Sequence, residues 1–223
     1  MLLQRNIAFT RSRVMDAARL AKDTPKSLKT RARILDQAMR LIAEIGYHAA
    51  TNPVIADAAG LTRGAMLYHF PTREALVEAA VAHVQAERSA LFRAAADTLP
   101  QGGDVTEHAI DSYWDLLHTV PFLAFAELEA AGRTDPAVQA LLAPAQAEFD
   151  RAQAGDHFLK ILHAGAGPRF QASRDLARFM LEGLARASLT YDNDGRRERL
   201  LMLIKRATHM LNRKGDVQDL WPD

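Results

Sequence analysis

Residues 51–76 read TNPVIADAAGLTRGAMLYHFPTREAL, and this stretch decides the fold. Thr51 is a residue type that caps helices, because its hydroxyl accepts hydrogen bonds from backbone N–H groups of the first turn. Gly60 follows a short apolar run, at the position where a left-handed residue ends a helix. Thr62 is placed to cap a second helix, for which the apolar spacing predicts residues 63–70. The stretch therefore predicts two short helices joined by a tight turn.

The second of these helices carries small, basic and aromatic side chains on one face. Its apolar residues at spacings of three and four, Met66, Leu67 and Phe70, are predicted to form the other face. Gly64 and Ala65 have almost no side chain, so the helix can approach another surface closely where it begins. The face left free by the apolar residues consists of Arg63, Gly64, Ala65, Tyr68 and His69. Such a face predicts the recognition helix of a helix-turn-helix, whose first residues face the DNA major groove.

An amphipathic helix is predicted ahead of this pair. Its apolar residues recur at helical spacing, and Gly46 marks its end. These residues are Ile34, Leu35, Ala38, Leu41, Ile42 and Ile45. Together with the two short helices, this segment predicts a three-helix DNA-binding head.

The head resembles the N-terminal domain of the tetracycline-repressor-like (TetR) family of bacterial transcription regulators. The resemblance rests on TRARILDQAMRLIAEIGYHAAT at residues 30–51, IADAAGLTRGA at residues 55–65 and HFPTREAL at residues 69–76. These pieces cover about a fifth of the chain. Each piece alone is a weak signal, but jointly they are highly specific.

The chain departs from the family pattern at two positions. Asn52 stands where the family usually has an apolar residue, and we expect this to loosen the second helix against the first. Leu67 stands where the family usually has Tyr, so one expected phosphate contact is missing. We therefore assign the phosphate contacts of this region to Tyr68, His69 and Arg73.

The resemblance and the clustering of residues predict a DNA-contacting surface. Arg63 and Ala65 are expected to face bases, which would set sequence choice. The remaining residues are expected to hold phosphates or to permit close approach, which sets register and affinity. The full predicted set is Lys29, Thr51, Thr62, Arg63, Gly64, Ala65, Tyr68, His69, Thr72 and Arg73.

The charge distribution supports a DNA-binding head. Residues 1–75 carry twelve Lys and Arg against six Asp and Glu, whereas the rest of the chain carries sixteen against twenty-one. A charge of +6 on the head and −5 on the body suits phosphate binding at one end, although a charge count alone also fits a solvated surface. Residues 1–27 form a basic extension. It is predicted to be a disordered terminus rather than a minor-groove arm, and that second reading stays open.

The whole chain is predicted to be all-α. A head at residues 28–72 is followed by a helical regulatory and dimerisation domain at residues 73–223. Pro144 is expected to kink or break one of its helices. The predicted helices of this domain lie at about 73–99, 105–120, 122–131, 138–152, 156–163, 173–191 and 196–211.

Several classes of function lack their sequence signals. The chain has no Cys, which excludes disulfides and thiolate metal sites and fits a reducing compartment. No apolar stretch approaches the length of a membrane span, and no signal sequence with a cleavage site is visible. No phosphate-cradling glycine loop, nucleophile elbow or HExxH pair is present, and the eight His are scattered. We expect a cytoplasmic protein that is not an enzyme, with no metal, no cofactor and no membrane contact.

The family resemblance also implies how the body works. It implies that helices 173–191 and 196–211 pair with their twins across a two-fold axis to form a homodimer. It further implies a pocket among the middle helices for an unknown small-molecule effector, which the composition favours as mainly apolar and cationic or amphipathic. Each aromatic candidate could instead be an ordinary core residue, and that alternative stays open. The one carboxylate among the candidates, Glu127, could instead form a salt bridge at the edge of its helix. The candidates are Tyr113, Trp114, Phe122, Phe125, Glu127, Phe149 and Phe179.

These features predict a DNA-binding transcriptional regulator, a ligand-responsive homodimeric repressor of a palindromic double-stranded operator. Ligand binding would tilt the helix that begins at Arg73 and change the spacing of the two recognition helices. One alternative is an inducer-free DNA-binding protein associated with the nucleoid or with division, which the family also contains. Another is a helical enzyme or adaptor that uses the helix-turn-helix as scaffold.

Overall fold

The computed structural model describes residues 24–98, 105–153, 168–187, 190 and 194–212. These residues form helices and their connections without any strand, which confirms the predicted all-α class. In chain order the described helices are α1 (Pro25–Ile45), α2 (Asn52–Ala58), α3 (Arg63–His69), α4 (Arg73–Asp97), α5 (Val105–Leu116), α6 (Val120–Gly132), α7 (Pro136–Gln153), α8 (Pro168–Ala187) and α9 (Arg196–Asn212).

Helix α1 begins earlier than the head boundary that we predicted. The Thr24 hydroxyl accepts a hydrogen bond from the Ser27 N–H (3.2 Å), and Pro25 occupies the first turn, where a missing N–H costs nothing. The helix ends at Gly46, whose φ of 83° is in the region that favours glycine. Most of the predicted basic extension, residues 1–23, lies outside the described residues.

The connection between α2 and α3 has the tight geometry that the sequence predicts. Gly60 has φ 63°, and its N–H donates to the Asp57 carbonyl (3.0 Å) while the Leu61 N–H donates to the Ala56 carbonyl (2.9 Å). This pair of bonds is a Schellman motif, which ends a helix and reverses the chain. The turn therefore sets the angle between α2 and α3.

The head and the first part of the body share one apolar core. Fully buried Ile34 of α1 and Met66 of α3 belong to the same cluster as Val84 of α4, Leu128 of α6 and Val138 of α7. No polar layer separates the head from the body within this cluster. A movement of α4 or α6 therefore acts directly on the packing of the head.

A second apolar cluster lies under the last two helices. Ile110 of α5 packs with Leu181 and Leu184 of α8 and with Ile204 of α9. The body thus consists of α4, α6 and α7 next to the head, with α5 joining them to the α8–α9 pair.

Some helix bounds differ from the predicted ones. Pro144 does not break α7, which continues through it to Gln153. Pro144 has no N–H to donate to the carbonyl one turn earlier in the helix. Because Pro144 is exposed, water can donate to that carbonyl instead. Helix α8 begins at Pro168 instead of residue 173, and the helix predicted at residues 156–163 lies outside the described residues.

Candidate nucleic-acid interface and regulatory core

The outer face of α3 is open to solvent. Arg63 and Gly64 are exposed, Ala65 is half-buried, and Tyr68 is 63% exposed. A Cβ added to Gly64 would meet no described atom within 4 Å, so another molecule can approach the backbone there. Leu67, which we predicted to face the core, is instead 42% exposed, because Met66 and Phe70 alone anchor this short helix. The outer face therefore includes one apolar side chain that the sequence analysis misplaced.

Three threonines sit at helix N-termini beside this face. The Thr62 hydroxyl accepts from the Ala65 N–H (3.2 Å), and the Thr72 hydroxyl accepts from the Ala75 N–H (3.1 Å). Thr51 precedes α2, but its side chain makes no capping bond there, contrary to the prediction. A hydroxyl that accepts one bond can still donate its own O–H, so each exposed threonine can reach a phosphate oxygen. Lys29 is also exposed, on α1.

Arg73, a predicted phosphate contact, makes hydrogen bonds within the head. Its Nη1 donates to the Ala50 carbonyl (2.7 Å) and to Asn52 Oδ1 (3.3 Å), and its Nη2 donates to the Tyr47 carbonyl (3.2 Å). The guanidinium carbon also lies 5.1 Å from the centre of the Tyr47 ring. Asn52, the first departure from the family pattern, thus has a defined function as an acceptor for Arg73. It does not leave α2 loose.

Arg31 is a head residue that the sequence analysis did not single out. Its Nη1 donates to the carbonyl of His69, the last residue of α3, at 3.0 Å. Its guanidinium carbon lies 4.2 Å from the centre of the Phe70 ring. Arg31 therefore satisfies a carbonyl at the end of α3 and places positive charge at its negative dipole end. Only its spacing of three residues before buried Ile34 hinted at this position.

Substituting Arg73 with Ala is expected to destabilise the head and to leave the salt dependence of DNA binding unchanged. The carbonyls of Ala50 and Tyr47 would lose their donor, which costs about 1–3 kcal/mol of unfolding free energy. Urea unfolding followed by circular dichroism measures this loss. Full stability with a salt slope reduced by about one counterion would instead identify Arg73 as a phosphate contact.

A buried arginine, Arg88 of α4, is at the centre of the body. It is only 3% exposed, and three phenylalanine rings surround its guanidinium. The guanidinium carbon lies 3.6 Å from the centre of the Phe125 ring, 4.2 Å from that of Phe149 and 5.0 Å from that of Phe122. These rings are three of the predicted pocket aromatics. Their faces therefore already hold a cation supplied by the protein.

The polar partners of Arg88 are amides. Its Nη1 donates to Gln85 Oε1 (3.0 Å) and to Gln146 Oε1 (3.3 Å), while its buried Nε has no acceptor among the described residues. Burial lowers the pKa of Arg88 to about 10, and nearby Tyr113, Glu129 and Glu182 oppose that decrease. The guanidinium therefore remains charged at neutral pH.

Several other polar and charged groups of the body are paired. Tyr113 donates to Glu182 Oε1 (2.9 Å), and burial together with Glu182 raises the pKa of this tyrosine. Arg178 of α8 binds Asp150 of α7, and Arg186 contacts Glu129 (2.8 Å). Burial raises the pKa of Glu129, an effect that Arg186 counteracts. Gln146 donates to Asp150 (2.9 Å), so a chain of polar contacts runs from Arg88 through α7 to α8.

The remaining predicted pocket residues do not all join this core. Trp114 packs in the cluster under α8 and α9, with its ring centre 4.7 Å from that of His118. Glu127 is exposed, and its Oε2 would lie 3.4 Å from a Cβ on Gly46, so it sits where α6 meets the head. Phe179 is 58% exposed on α8. The structure therefore does not bring these three residues together with the Arg88 core, and their assignment to a ligand pocket stays a prediction.

A small cavity adjoins this core between α4 and α5. It has a volume of about 20 Å³, and its walls include Phe92, Ala95, Ser112 and Tyr113. Phe92 connects it to the Arg88 core, since its ring centre lies 5.4 Å from that of Phe149. Space of this size accommodates a water-sized or methyl-sized group.

Two further kinds of site were sought in the part of the chain that the structure describes. No group of His, Asp or Glu residues there could hold a metal ion. No helix there is long and apolar enough to cross a membrane.

The geometry of α1–α3 defines a helix-turn-helix head attached to a helical body. Residues 34–80 match the family model described as bacterial regulatory proteins, tetR family. The helix-turn-helix head of this chain is therefore similar to the DNA-binding domain of tetR-family regulators.

Similarity to individual proteins agrees with this assignment. The chain is 29% identical over 115 residues to the HTH-type transcriptional regulator UidR of Escherichia coli K12, covering 51% of this chain and 57% of UidR. It is 41% identical over 58 residues to the HTH-type transcriptional repressor KstR2 of Rhodococcus jostii, covering 26% of this chain and 28% of KstR2. The match thus spans just over half the length of UidR and less of KstR2.

The fold of the body also has a known counterpart. The crystal structure of the multidrug binding protein EbrR complexed with imidazole superposes with a TM-score of 0.57 at 18% identity. The superposition covers 85% of this chain and 98% of EbrR. The head and body together therefore share the fold of EbrR.

Proposed function

We propose that the protein is a homodimeric transcriptional repressor that binds a palindromic DNA operator and releases it when a small molecule binds the body. The observation that carries this proposal is the open outer face of α3, with Arg63, Gly64 and Tyr68 exposed at the end of a well-packed head. The family of the head, and the naming of KstR2 as a repressor, support it. A protein that acts on DNA in this way would work in the cytoplasm.

The proposed DNA surface combines positioning and recognition. Thr51, Thr62 and Thr72 would donate to phosphate oxygens, and Tyr68 would add a further phosphate contact. Arg63, at the first position of α3, would reach base edges, since the N-terminal residues of a recognition helix face the major groove. Gly64 and Ala65 would permit the close approach that this requires.

Substituting Arg63 with Ala is expected to weaken binding at specific operator positions by about 1–3 kcal/mol. Tyr68→Phe removes only a hydroxyl, so it should weaken binding to all sequences by about 0.5–1.5 kcal/mol. Fluorescence anisotropy with a DNA fragment from upstream of the protein's own gene, and with a scrambled fragment, measures both. If neither variant changes affinity for a bound fragment, the surface is assigned wrongly.

The α8–α9 pair offers the surface for a second subunit. Leu176 and Phe179 are exposed on α8, and exposed Gly183 continues the same face one turn later. On α9, Leu203 and Met210 are exposed at a spacing of seven residues. Two apolar stripes on adjacent helices can close a four-helix bundle with their symmetry copies, and Gly183 would let two helices approach closely. We therefore include the homodimer in the proposal.

Ligand response rests on the position of the Arg88 core. Helix α4 begins at Arg73, directly after the head, and carries Arg88 in its interior. A ligand that changes how α4 packs against α6 and α7 would change the orientation of the head. A typical coupling of about 1–3 kcal/mol would lower DNA affinity about 5- to 150-fold.

A thermal-shift screen separates this proposal from an inducer-free DNA-binding protein. A specific effector raises the free energy of unfolding with the logarithm of its excess over its dissociation constant, so it raises the melting temperature, and it should also release the operator. DNA binding without any responsive ligand would favour the inducer-free alternative. Absence of DNA binding would favour an enzyme or adaptor with the head as scaffold.

A further inference from the structure

Arg88 differs from the other buried cations of the body in having no carboxylate partner among the described residues. Arg178 is paired with Asp150, and Arg174 with Asp175. Arg88 contacts only the amide oxygens of Gln85 and Gln146, and its Nε–H is buried without an acceptor. A buried donor without an acceptor carries a desolvation cost that a suitable ligand can relieve.

The surroundings of Arg88 select the charge of such a ligand. The rings of Phe122, Phe125 and Phe149 already hold the guanidinium, so their faces are not free for a ligand cation. The composition of the body, with these same aromatics, predicts a mainly apolar effector that is cationic or amphipathic. A cation placed beside Arg88 would instead be repelled by it. The core is therefore suited to a negatively charged group.

The shape of the site indicates which kind of negatively charged ligand it suits. A guanidinium presents N–H donors in a planar fork that matches a carboxylate, and Nε and one terminal nitrogen can donate to its two oxygens. The cavity between α4 and α5, lined by Phe92, Ala95 and Tyr113, provides apolar space on the same side of α4. Glu129 and Glu182 lie near enough to influence Arg88, so a doubly charged anion would be repelled more strongly than a singly charged one.

We propose that Arg88 binds the carboxylate of an apolar or aromatic monocarboxylic acid, which is the effector of this protein. This inference rests on the proposed function in one respect, the role of the acid as an effector; the binding of the acid to Arg88 does not depend on it. The carboxylate accepts from the buried Nε–H and from the neighbouring Nη2, which lie on the same edge of the guanidinium. Its apolar part extends toward the cavity between α4 and α5, which must enlarge well beyond its present volume of about 20 Å³ through movement of Phe92 and Tyr113.

Binding in this position would interrupt the polar chain through the body. Gln146 contacts both Arg88 and Asp150, and Asp150 binds Arg178 on α8. A carboxylate that draws the guanidinium away from Gln146 would therefore uncouple α4 from α7 and from the proposed dimer helix. Since α4 carries the head, this is a direct route from the ligand to the DNA-binding surface.

The test compares molecules that differ only in charge. Benzoate, benzamide and benzylamine form one probe series, and hexanoate, hexanamide and hexylamine form another. Binding to the full-length protein is measured by ligand-observed NMR and by calorimetry. The carboxylates should bind roughly 10- to 100-fold more tightly than the matching amides, as expected for one charge-assisted interaction, and the amines should not bind. Amines or amides that bind as well as the acids, or acids that do not bind at all, would overturn the proposal.

Variants assign the binding to Arg88. Arg88→Met should remove the preference for acids and still fold, because replacing a buried charge by an apolar side chain is often neutral or stabilising. Arg88→Lys keeps the charge but loses the planar fork, so it should retain a weaker preference, and it carries the test if the Met variant does not fold. Arg186→Met, at an exposed cation, is the matched control and should bind acids like the wild type. Unchanged acid binding in Arg88→Met would overturn the assignment.

Operator binding is measured separately in the presence of the same probes. An acid that binds through Arg88 and leaves DNA affinity unchanged would confirm the carboxylate site and contradict the ligand-responsive function. An acid that releases DNA equally from wild type and Arg88→Met would place the effector site elsewhere.

Discussion

Replacing Phe179 with Glu is expected to give a folded monomer that binds the operator roughly 10²- to 10⁴-fold more weakly, because the second head no longer contributes to avidity. Phe179 is 58% exposed, so the substitution creates no cavity within the subunit. In the proposed dimer the new carboxylate would be buried at the two-fold axis opposite its own copy. Leu203→Glu on α9 should behave in the same way.

Light scattering and analytical ultracentrifugation measure the mass, and fluorescence anisotropy measures operator affinity. Leu123→Glu is the matched control, because Leu123 is an apolar, exposed residue on α6 and not on α8 or α9. It should remain a dimer. Stable, folded dimers in both the Phe179 and Leu203 variants would rule out this interface. Substitutions at Leu184 or Ile204 would not test it, since both side chains are buried within the subunit.

Phe70→Ala is expected to lower the free energy of unfolding by about 3–5 kcal/mol, a large part of the total stability of a typical domain. Phe70 is fully buried where α3 ends, and Arg31 stacks on its ring while holding the His69 carbonyl. Truncation leaves a cavity and removes the surface on which Arg31 rests. The recognition helix, with only seven residues, has few other contacts that hold it in place.

Chemical unfolding followed by circular dichroism measures this effect. Leu67→Ala is the matched control, because Leu67 lies on the same helix and is largely exposed, so its truncation should cost well under 1 kcal/mol. Because the head and body share one core, the Phe70 variant should lower the stability of a single transition. A separate early transition of the head alone would show that the two parts unfold independently.

The helix-turn-helix could be predicted from sequence because its signals are local. A glycine at a positive φ, threonines at helix starts and apolar spacing of three and four each act within a few residues. Gly60 and Thr62 behave as these rules predict. Thr51 does not make its predicted capping bond, since residue type states what a side chain can do and not which partner it takes.

The sequence does not show the roles of residues whose partners are distant in the chain. Arg73 has the charge of a phosphate contact, yet it binds carbonyls more than twenty residues earlier in the chain. Arg88 falls in the apolar stripe of α4, four residues after Val84, but only its position among three helices shows that aromatic rings surround it. Phe179 is an aromatic residue of the kind that usually lies in a core, yet it lies on the exposed face of α8. The periodicity of apolar residues predicts that a helix has an apolar face, but it does not show which part of the protein packs against that face.

The bonds of Arg73 have a consequence for operator choice. They attach the first turn of α4 to the chain segment between α1 and α2, so the head is carried by α4 as one rigid piece. A rigid head changes its direction without changing the arrangement of the residues that face the bases. An effector acting through α4 would therefore set how much DNA is bound, while the preferred base sequence stays the same with and without it.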